Sequence, residues 1–215
     1  MNASLRYGLA VTTAPRSKFD LVNSAAEVFA AAQDRFSDIL GARLAPAGET
    51  ALTAILADGT RAFDFAVALS EAAWPMRLRF AIVTAPPAGA AGADEAVREK
   101  AAKALKQLKR GDTMIFDLPN RNDSELAIGT SLARLHAALL ADWTDSRAMA
   151  VQLFRKTGRQ AEVAERLRIT QQAVSQMLLG ARVRDLMAAE TAMRGWLDQP
   201  TRPGLWPIRS RALAD

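Results

Sequence analysis

The segment from Arg159 to Gly180 constrains the fold more than any other part of the chain. Its apolar residues recur at spacings of three and four on either side of a break, which predicts two short amphipathic helices that share one core. Ala164 is small enough to let the second helix cross closely over the first, and Thr170 is placed as the N-cap of that second helix. We expect Gly180 to end it. The apolar positions are Val163, Ala164, Leu167, Ile169, Val174, Met177 and Leu178.

The second helix, over residues 170–179, is predicted to expose Gln171, Gln172, Ser175 and Gln176. A glutamine amide offers one donor and one acceptor, which match the N6 and N7 edge of adenine in the major groove. We therefore assign these four residues as contacts to DNA bases. Cations cluster around the helix, and we assign them to backbone phosphates. The assigned phosphate contacts are Arg155, Lys156, Arg159, Arg168, Arg182 and Arg184.

The same stretch resembles the helix-turn-helix of bacterial and phage transcription regulators, and its Thr170-Gln171-Gln172 start is similar to the recognition helices of lambdoid phage repressors. The shared positions are Gln160, Val163, Ala164, Leu167, Ile169, Thr170, Gln171, Val174, Ser175 and Leu178. Arg168 departs from the pattern because it holds the turn position where the family usually has glycine. A left-handed backbone there costs a residue other than glycine about 1 kcal/mol. The alternative interpretation is a helical hairpin that only packs against its neighbours.

The positive charge of the chain lies in its C-terminal third. The net charge is +5, and residues 1–144 hold 16 basic and 16 acidic residues, whereas residues 145–215 hold 12 and 7. A basic segment beside a neutral one is typical of a polyanion-binding module attached to a second domain. The distribution therefore favours double-stranded DNA as a partner of residues 145–215.

Other features of the composition exclude several classes of protein. The chain has no cysteine, which excludes disulfides, zinc–cysteine sites and thiol nucleophiles. Its start lacks a basic region followed by an apolar core of signal length. No apolar run approaches the roughly 18 residues of a membrane span. We therefore expect a soluble cytoplasmic protein with no membrane partner.

The N-terminal part alternates strand and helix patterns in the order β-α-β-β-α-β with additions, the split βαβ arrangement of ferredoxin-like folds. Strands are predicted at Leu5–Thr13, in the hairpin Arg43–Leu56, at Met76–Ala85 and at Thr113–Leu118, and helices at Phe19–Leu40, Ala62–Ala73, Asp94–Arg110 and Ser124–Trp143. After residue 146 the patterns predict helices alone, namely Arg147–Thr157, the two helices of the motif and Val183–Asp198, with no β-wing. The fold class is α+β: a ferredoxin-like α/β sandwich (1–144), then an all-α helix-turn-helix domain (145–200) and a C-terminal tail (201–215).

Four short motifs carry a resemblance that covers residues 5 to about 198. The motifs are Ser17-Lys18, Gly48-Glu49-Thr50, Arg79-Phe80-Ala81-Ile82 and, more loosely, Ala96–Lys109. In this order, and followed by a helix-turn-helix, they are similar to the SatD family. That family joins a domain related to nucleotide-cyclase and GGDEF catalytic domains to a C-terminal DNA-binding motif. The resemblance implies a cyclase-like fold for the N-terminal domain.

The acidic residues that cyclase chemistry needs are incomplete in this chain. Phosphoryl transfer of that type uses two carboxylates on adjacent strands to hold a divalent metal against a triphosphate. Glu49 offers one ligand, but the segment Ala10–Lys18 carries no acidic residue at the end of the first strand, and Asp20 lies beyond Pro15. We therefore expect Glu49 to be an exposed turn carboxylate. We expect no enzyme activity, no catalytic residue, no metal and no cofactor.

Two further features favour ordinary structural roles. His136 is the single histidine and has no nucleophile or carboxylate in register, so we interpret it as a partly buried helix residue. The basic stripe of one predicted helix is interpreted as a solvated face, with a supplementary phosphate contact as the alternative. Its members are Lys100, Lys103, Lys106, Lys109 and Arg110.

Three hypotheses for function follow from these patterns. The first is a DNA-binding transcriptional regulator whose N-terminal domain forms a homodimer or senses a small-molecule effector. The second is a nucleotide-binding or nucleotide-processing enzyme of cyclase-like fold with an accessory helix-turn-helix, which the missing carboxylate disfavours. The third is a protein-interaction module, against which the basic C-terminal third argues.

Overall fold

Five strands form one mixed sheet in the computed structural model, which describes residues 6–15, 17, 19–85, 92–119 and 121–199. The strands are β1 (Arg6–Thr13), β2 (Leu40–Pro46), β3 (Ala51–Leu56), β4 (Leu78–Ala85) and β5 (Met114–Asp117). Their order across the sheet is β2-β3-β1-β4-β5. The neighbours β2 and β3, β3 and β1, and β1 and β4 are antiparallel, whereas β5 runs parallel to β4. The predicted α+β class is confirmed.

The helices divide into a group that covers the sheet and a group that follows it. The first group is α1 (Leu21–Val28), α2 (Ala30–Arg35), α3 (Ala62–Ala73), α4 (Ala93–Leu105) and α5 (Asp123–Ala141). The second group is α6 (Asp145–Thr157), α7 (Gln160–Leu167), α8 (Gln171–Gly180) and α9 (Val183–Asp198). Between Asp145 and Gln199 the described chain contains helices and turns but no strand, in agreement with the prediction.

Both faces of the central strand β1 are covered, so its middle residues are buried on alternate sides. Leu9 and Val11 belong to the large core on one face of the sheet, while Ala10 packs under α4 on the other. The approach of α4 is close at Gly8, where an added Cβ would lie 2.8 Å from Cγ1 of Val97. A side chain at Gly8 would therefore push α4 away from the sheet.

The prediction of one continuous helix over Phe19–Leu40 is wrong, because this segment forms two helices. The structure has α1 and α2 separated at Phe29, whose backbone leaves helical values (φ −103°, ψ 1°). Phe29 is fully buried, and Oε1 of Gln33 accepts a hydrogen bond from the Leu44 amide of β2 at 2.9 Å. The break thus lets both halves of the segment face the sheet, a tertiary demand that the apolar periodicity does not contain.

The remaining boundaries shift by a few residues. The predicted strand at Met76 begins at Leu78, and the helix predicted from Ser124 begins at Asp123, because Asn122 caps it through a reciprocal capping box with Glu125. Most of the predicted loop 86–92 and the tail 201–215 lie outside the described residues, as does Lys18 of the Ser17-Lys18 motif.

The last described helix, α9, joins the two hydrophobic cores. Val183 and Leu186 at its start pack in the core of α6, α7 and α8, whereas Met193 and Leu197 near its end pack in the core of the sheet. Trp74, at the end of α3, packs against the helical core in turn. A domain boundary at residue 144 stays a prediction, and the contact between its two sides is extensive.

Candidate nucleic-acid interface

The turn between α7 and α8 contains the left-handed residue that the sequence pattern places there. Arg168 has φ 55° and ψ 44°, and the backbone amide of Ile169 donates to the carbonyl of Ala164 at 3.1 Å. Thr170 then caps α8 as predicted, because its hydroxyl oxygen accepts a hydrogen bond from the amide of Ala173 at 3.1 Å. The turn is therefore short and held by backbone and cap hydrogen bonds at both ends.

Packing fixes α8 across α7 and α6. Val163 and Val174 are fully buried, and Ala164 and Leu178 are 8% and 6% exposed. The small side chain of Ala164 leaves room for the crossing helix, as the sequence pattern indicates. The core of α6–α9 is thus filled by one face of each helix, which leaves the other face of α8 exposed.

Helix α8 ends at Gly180, one residue beyond the predicted range 170–179. Gly180 is still helical, and the left-handed residue is Arg182 (φ 57°), two positions later, so Gly180 does not end the helix through a left-handed backbone. Ala181 is buried, and its carbonyl accepts a hydrogen bond from Nε1 of Trp143 at 3.0 Å. A Cβ at Gly180 would come within 2.9 Å of the Arg147 guanidinium, which lies at the end of a flexible side chain and can move.

The four residues assigned to base contacts share the outer face of α8. Gln171, Gln172, Ser175 and Gln176 are all exposed. No side-chain hydrogen bond from another part of residues 6–199, as far as they are described, engages them. Their amide and hydroxyl groups are therefore available to a ligand of the helix.

Five of the six residues assigned to phosphate contacts are exposed around this face. Two of them form loose local ion pairs, Arg159 with Glu162 at 3.7 Å and Arg182 with Asp185 at 3.1 Å. Exposed pairs of this kind are weak and exchange readily for a stronger anion. The five are Lys156, Arg159, Arg168, Arg182 and Arg184. Arg147, which no local pattern connects to α8, is half-buried, and its guanidinium lies beside Gly180.

Arg155, the sixth assigned phosphate contact, is a correction, because its guanidinium lies inside the protein. Its side chain is 13% exposed and binds two buried carboxylates: Nη2 lies 3.0 Å from Oε1 of Glu71 and 2.5 Å from Oε1 of Glu190. Nη1 also donates to Oε2 of Glu190 at 2.8 Å. A guanidinium held in this way is not available to a phosphate.

His136 completes this buried cluster. Its Nε2 lies 3.1 Å from Oε1 of Glu190, and its ring packs edge-on against Phe63. The residue is 5% exposed, so it is buried more deeply than predicted. The cluster connects α3, α5, α6 and α9 and so holds the sheet to the helical group.

The two carboxyl groups of the cluster differ in their pKa. Burial raises the pKa of Glu71, although Arg155 opposes the rise. Burial also acts to raise the pKa of Glu190, but hydrogen bonds with His136 and Arg155 overcome it and hold that pKa below its ordinary value. The difference follows from geometry, because the two side chains are equally buried, but Glu190 has both His136 and Arg155 as partners, whereas Glu71 has Arg155 and faces the charge of Glu190.

A cavity of about 760 Å³ lies between the β2–β3 hairpin and α4. Its lining includes Arg79 and Arg98, whose guanidinium groups donate to backbone carbonyls of Asp112 and Thr53. Glu49 is an exposed turn residue near this cavity and does not line it. Charged residues of both signs therefore surround a space large enough for a small ligand.

The basic stripe of α4 and its C-terminal extension is partly used within the domain. Nζ of Lys100 donates to the carbonyl of Thr84 at 2.6 Å and pairs with Asp117 at 3.1 Å. Lys106 lines the cavity. The basic stripe therefore includes a residue that binds within the protein and a residue that faces the cavity, so it is not a uniformly solvated face.

None of the helices in the described ranges is long and apolar enough to cross a membrane. Within the same ranges, no group of three or more acidic or histidine side chains is arranged to hold a metal ion.

Comparisons with known proteins give little similarity. No protein-family model matches the chain, and no curated protein matches it. Among solved structures, it is similar to the crystal structure of a regulator of polyketide synthase expression from Bifidobacterium adolescentis, with a TM-score of 0.30 and 16% sequence identity. The match covers 91% of this chain and 82% of that chain. A TM-score this low carries no argument, so we infer function from the residues and their geometry.

Proposed function

We propose that the protein is a DNA-binding transcriptional regulator that reads the major groove with α8. The observation that carries the proposal is the outer face of that helix. Gln171, Gln172, Ser175 and Gln176 are exposed there without a protein partner in the described chain, at the N-terminal end of a helix held by a capped turn. In a helix-turn-helix, the N-terminal residues of the second helix contact base edges.

The cations around α8 support the same orientation. Arg159 precedes α7, Arg168 lies in the turn before α8, and Arg182 and Arg184 follow the other end of α8. A helix lying in the major groove has a phosphate backbone on each side, so cations at both ends suit phosphate contacts. We include Arg147 in this set and remove Arg155 from it.

We assign the sheet domain a regulatory and structural role rather than a catalytic one. The strand order, with β1 between β3 and β4 and antiparallel to both, agrees with a ferredoxin-like, cyclase-like sandwich and with the SatD resemblance. The end of β1 carries Thr12 and Thr13 rather than a carboxylate, and Glu49 is exposed. A nucleotide-processing enzyme therefore has less support, and the cavity beside α4 is where we expect a small-molecule effector.

Selection of genomic DNA fragments by the purified full-length protein tests the proposal. We expect recovery of fragments that share a sequence element, and loss of that element when Gln171, Gln172 and Gln176 are all replaced by alanine. These side chains are exposed, so circular dichroism of the triple variant should match the wild type. Unchanged sequence preference in the folded triple variant would show that α8 does not read DNA in this orientation.

A further inference from the structure

The long helix α5 presents an apolar stripe to solvent. Ile128 and Leu135 are 68% and 64% exposed, and exposed apolar side chains that lie together, unlike scattered single ones, mark an interaction surface. Ser131 and Ala138 are exposed beside them. The four positions follow each other at spacings of three, four and three, so they lie in one row along the helix.

The stripe is complementary to a second copy of itself. When two such helices pack antiparallel with Ile128 opposite residue 138 of the second copy, Leu135 lies opposite residue 131. Each layer then joins one large side chain to one small side chain, Ile128 to alanine and Leu135 to serine. Alternation of large and small residues is what allows two helices to interdigitate closely.

The size of the stripe also fits a second copy. The row itself holds no charged residue from Ser124 to Ala138, and the exposed Arg134 borders it. The helix has 19 residues and is therefore about 28 Å long. A pair of such helices buries on the order of 1,000 Å², which is the size of a weak, reversible interface.

The end of α5 is fixed to the helical group that carries α8. Leu140 and Trp143 are buried in the core of α6–α9, and Trp143 donates its indole hydrogen to the Ala181 carbonyl. In the antiparallel register, Ala141 lies opposite residue 125 of the second copy, so the two helix ends are about 24 Å apart along the axis. That distance is of the same order as the roughly 34 Å between successive major-groove faces.

We infer that the α5 stripe is the homodimer interface, and that its antiparallel pairing places the two copies of α8 at opposite ends of the helix pair, toward two DNA half-sites. This inference rests on the proposed function for its second part.

Sedimentation of full-length variants tests the interface. At a concentration on the order of 100 µM the wild type should be at least partly dimeric, as expected for a small, reversible interface. Leu135→Glu should remain a monomer at the same concentration. Thr130→Glu is the matched control, because Thr130 is a partly exposed residue of the same helix that is not three or four residues from any member of the row. A wild-type chain that remains a monomer at this concentration and on DNA with two half-sites would contradict the inference, as would a dimer that both variants leave intact.

Cysteine crosslinking tests the register, since the natural chain has no cysteine. A mixture of Ile128→Cys and Ala138→Cys proteins should form a mixed disulfide under mild oxidation, because the two positions face each other. Ile128→Cys alone should crosslink slowly, since its two copies are separated by about ten residues, or 15 Å, along the axis. Rapid crosslinking of Ile128→Cys alone would indicate parallel pairing. A monomer in which Ile128→Cys is protected from a thiol reagent would show that the tail covers the stripe instead.

DNA with one half-site separates this inference from the proposed function. Leu135→Glu should bind a single half-site as well as the wild type does, and lose most of its advantage on paired half-sites. Loss of single-site binding in the folded Leu135→Glu variant would show that the stripe does more than pair two copies. A Gln172→Ala variant that dimerises but loses sequence preference would support both.

Discussion

The buried cluster of Arg155, Glu71, Glu190 and His136, which we call the junction, contrasts with the exposed face of α8. Both contain polar and basic side chains, but in opposite environments. At the junction, Arg155 is 13% exposed and has carboxylates on two sides. Beside α8, Arg182 is 63% exposed and has one loose partner, Asp185. Because Arg155 is buried, its guanidinium stays paired with carboxylates of the same chain. Arg182 is exposed, so its guanidinium is able to bind an external anion.

The largest effect should come from breaking the junction. Replacing Arg155 with methionine leaves Glu71 and Glu190 buried without their main counter-charge, and removal of one partner of a buried ion pair costs about 3–5 kcal/mol. We expect the free energy of unfolding, measured with urea, to fall by that order. Lys156→Met is the matched control, because Lys156 is the exposed next residue of the same helix, and its change should stay within about 0.5 kcal/mol. Equal losses in the two variants would disprove the distinction between the two environments.

The exposed face should respond in DNA binding rather than in stability. Gln172→Ala should weaken binding to the preferred site by about 1–3 kcal/mol and binding to random DNA much less, because it removes a base contact. Arg182→Ala should weaken binding to both DNAs alike. It should also lower the slope of log affinity against log salt by about 0.9 for one lost phosphate contact. Titrations at several salt concentrations measure both quantities, and a Gln172→Ala effect that is equal on the two DNAs would contradict base reading.

The two junction carboxylates should give opposite pH dependences. The pKa of Glu71 is raised on folding, so above pH of about 4.5 the folded state retains a proton that the unfolded state has lost, and stability falls as pH rises toward the folded pKa. The pKa of Glu190 is lowered, so its contribution is present above about 4.5 and is lost as pH falls through the folded pKa. Each slope reaches at most about 1.4 kcal/mol per pH unit.

Glutamine variants separate these contributions. The stability of Glu71→Gln relative to the wild type should rise as pH increases from about 4.5 to 7, since the variant lacks the ionisation that opposes folding. The relative stability of Glu190→Gln should decrease as pH rises up to about 4.5, because the variant lacks the ionised form that folding favours. Unfolding by urea across this pH range measures both relative stabilities. If both change with pH in the same direction, the pKa values of Glu71 and Glu190 are not shifted in opposite directions.

The smallest effect should come from the turn of the candidate interface. Arg168 has φ 55°, so Arg168→Gly should relieve the strain of a left-handed backbone. Glycine also gives the unfolded chain more entropy, which offsets part of this gain, so we expect a net stabilisation of about 0.5–1 kcal/mol. Arg166→Gly, inside α7, should instead destabilise it by about 1 kcal/mol. Thermal unfolding compares the two, and destabilisation in both would mean that Arg168 has a contact that outweighs its backbone strain.

Much of the candidate interface was predictable because it depends on short-range interactions. The cap of Thr170 reaches three residues, to Ala173, and the left-handed Arg168 lies between two helices whose apolar spacing marks the break. The four polar residues of α8 follow from the period of the same helix. The end of α8 was predicted to within one residue, but the left-handed backbone after it lies at Arg182, and the burial of Ala181 under Trp143 depends on a contact 38 residues away.

Only the tertiary structure could separate Arg155 from Lys156. The sequence presents them as adjacent cations in the last turn of a helix, and both suit a phosphate contact equally. The fold brings Glu71 and Glu190 to Arg155 from 84 and 35 residues away, and it leaves Lys156 exposed. By itself the sequence determined the α+β class, the capped turn and the basic C-terminal third, because periodicity, capping and charge are local properties. Which charges are buried was decided by packing, because burial depends on segments that are distant in the chain.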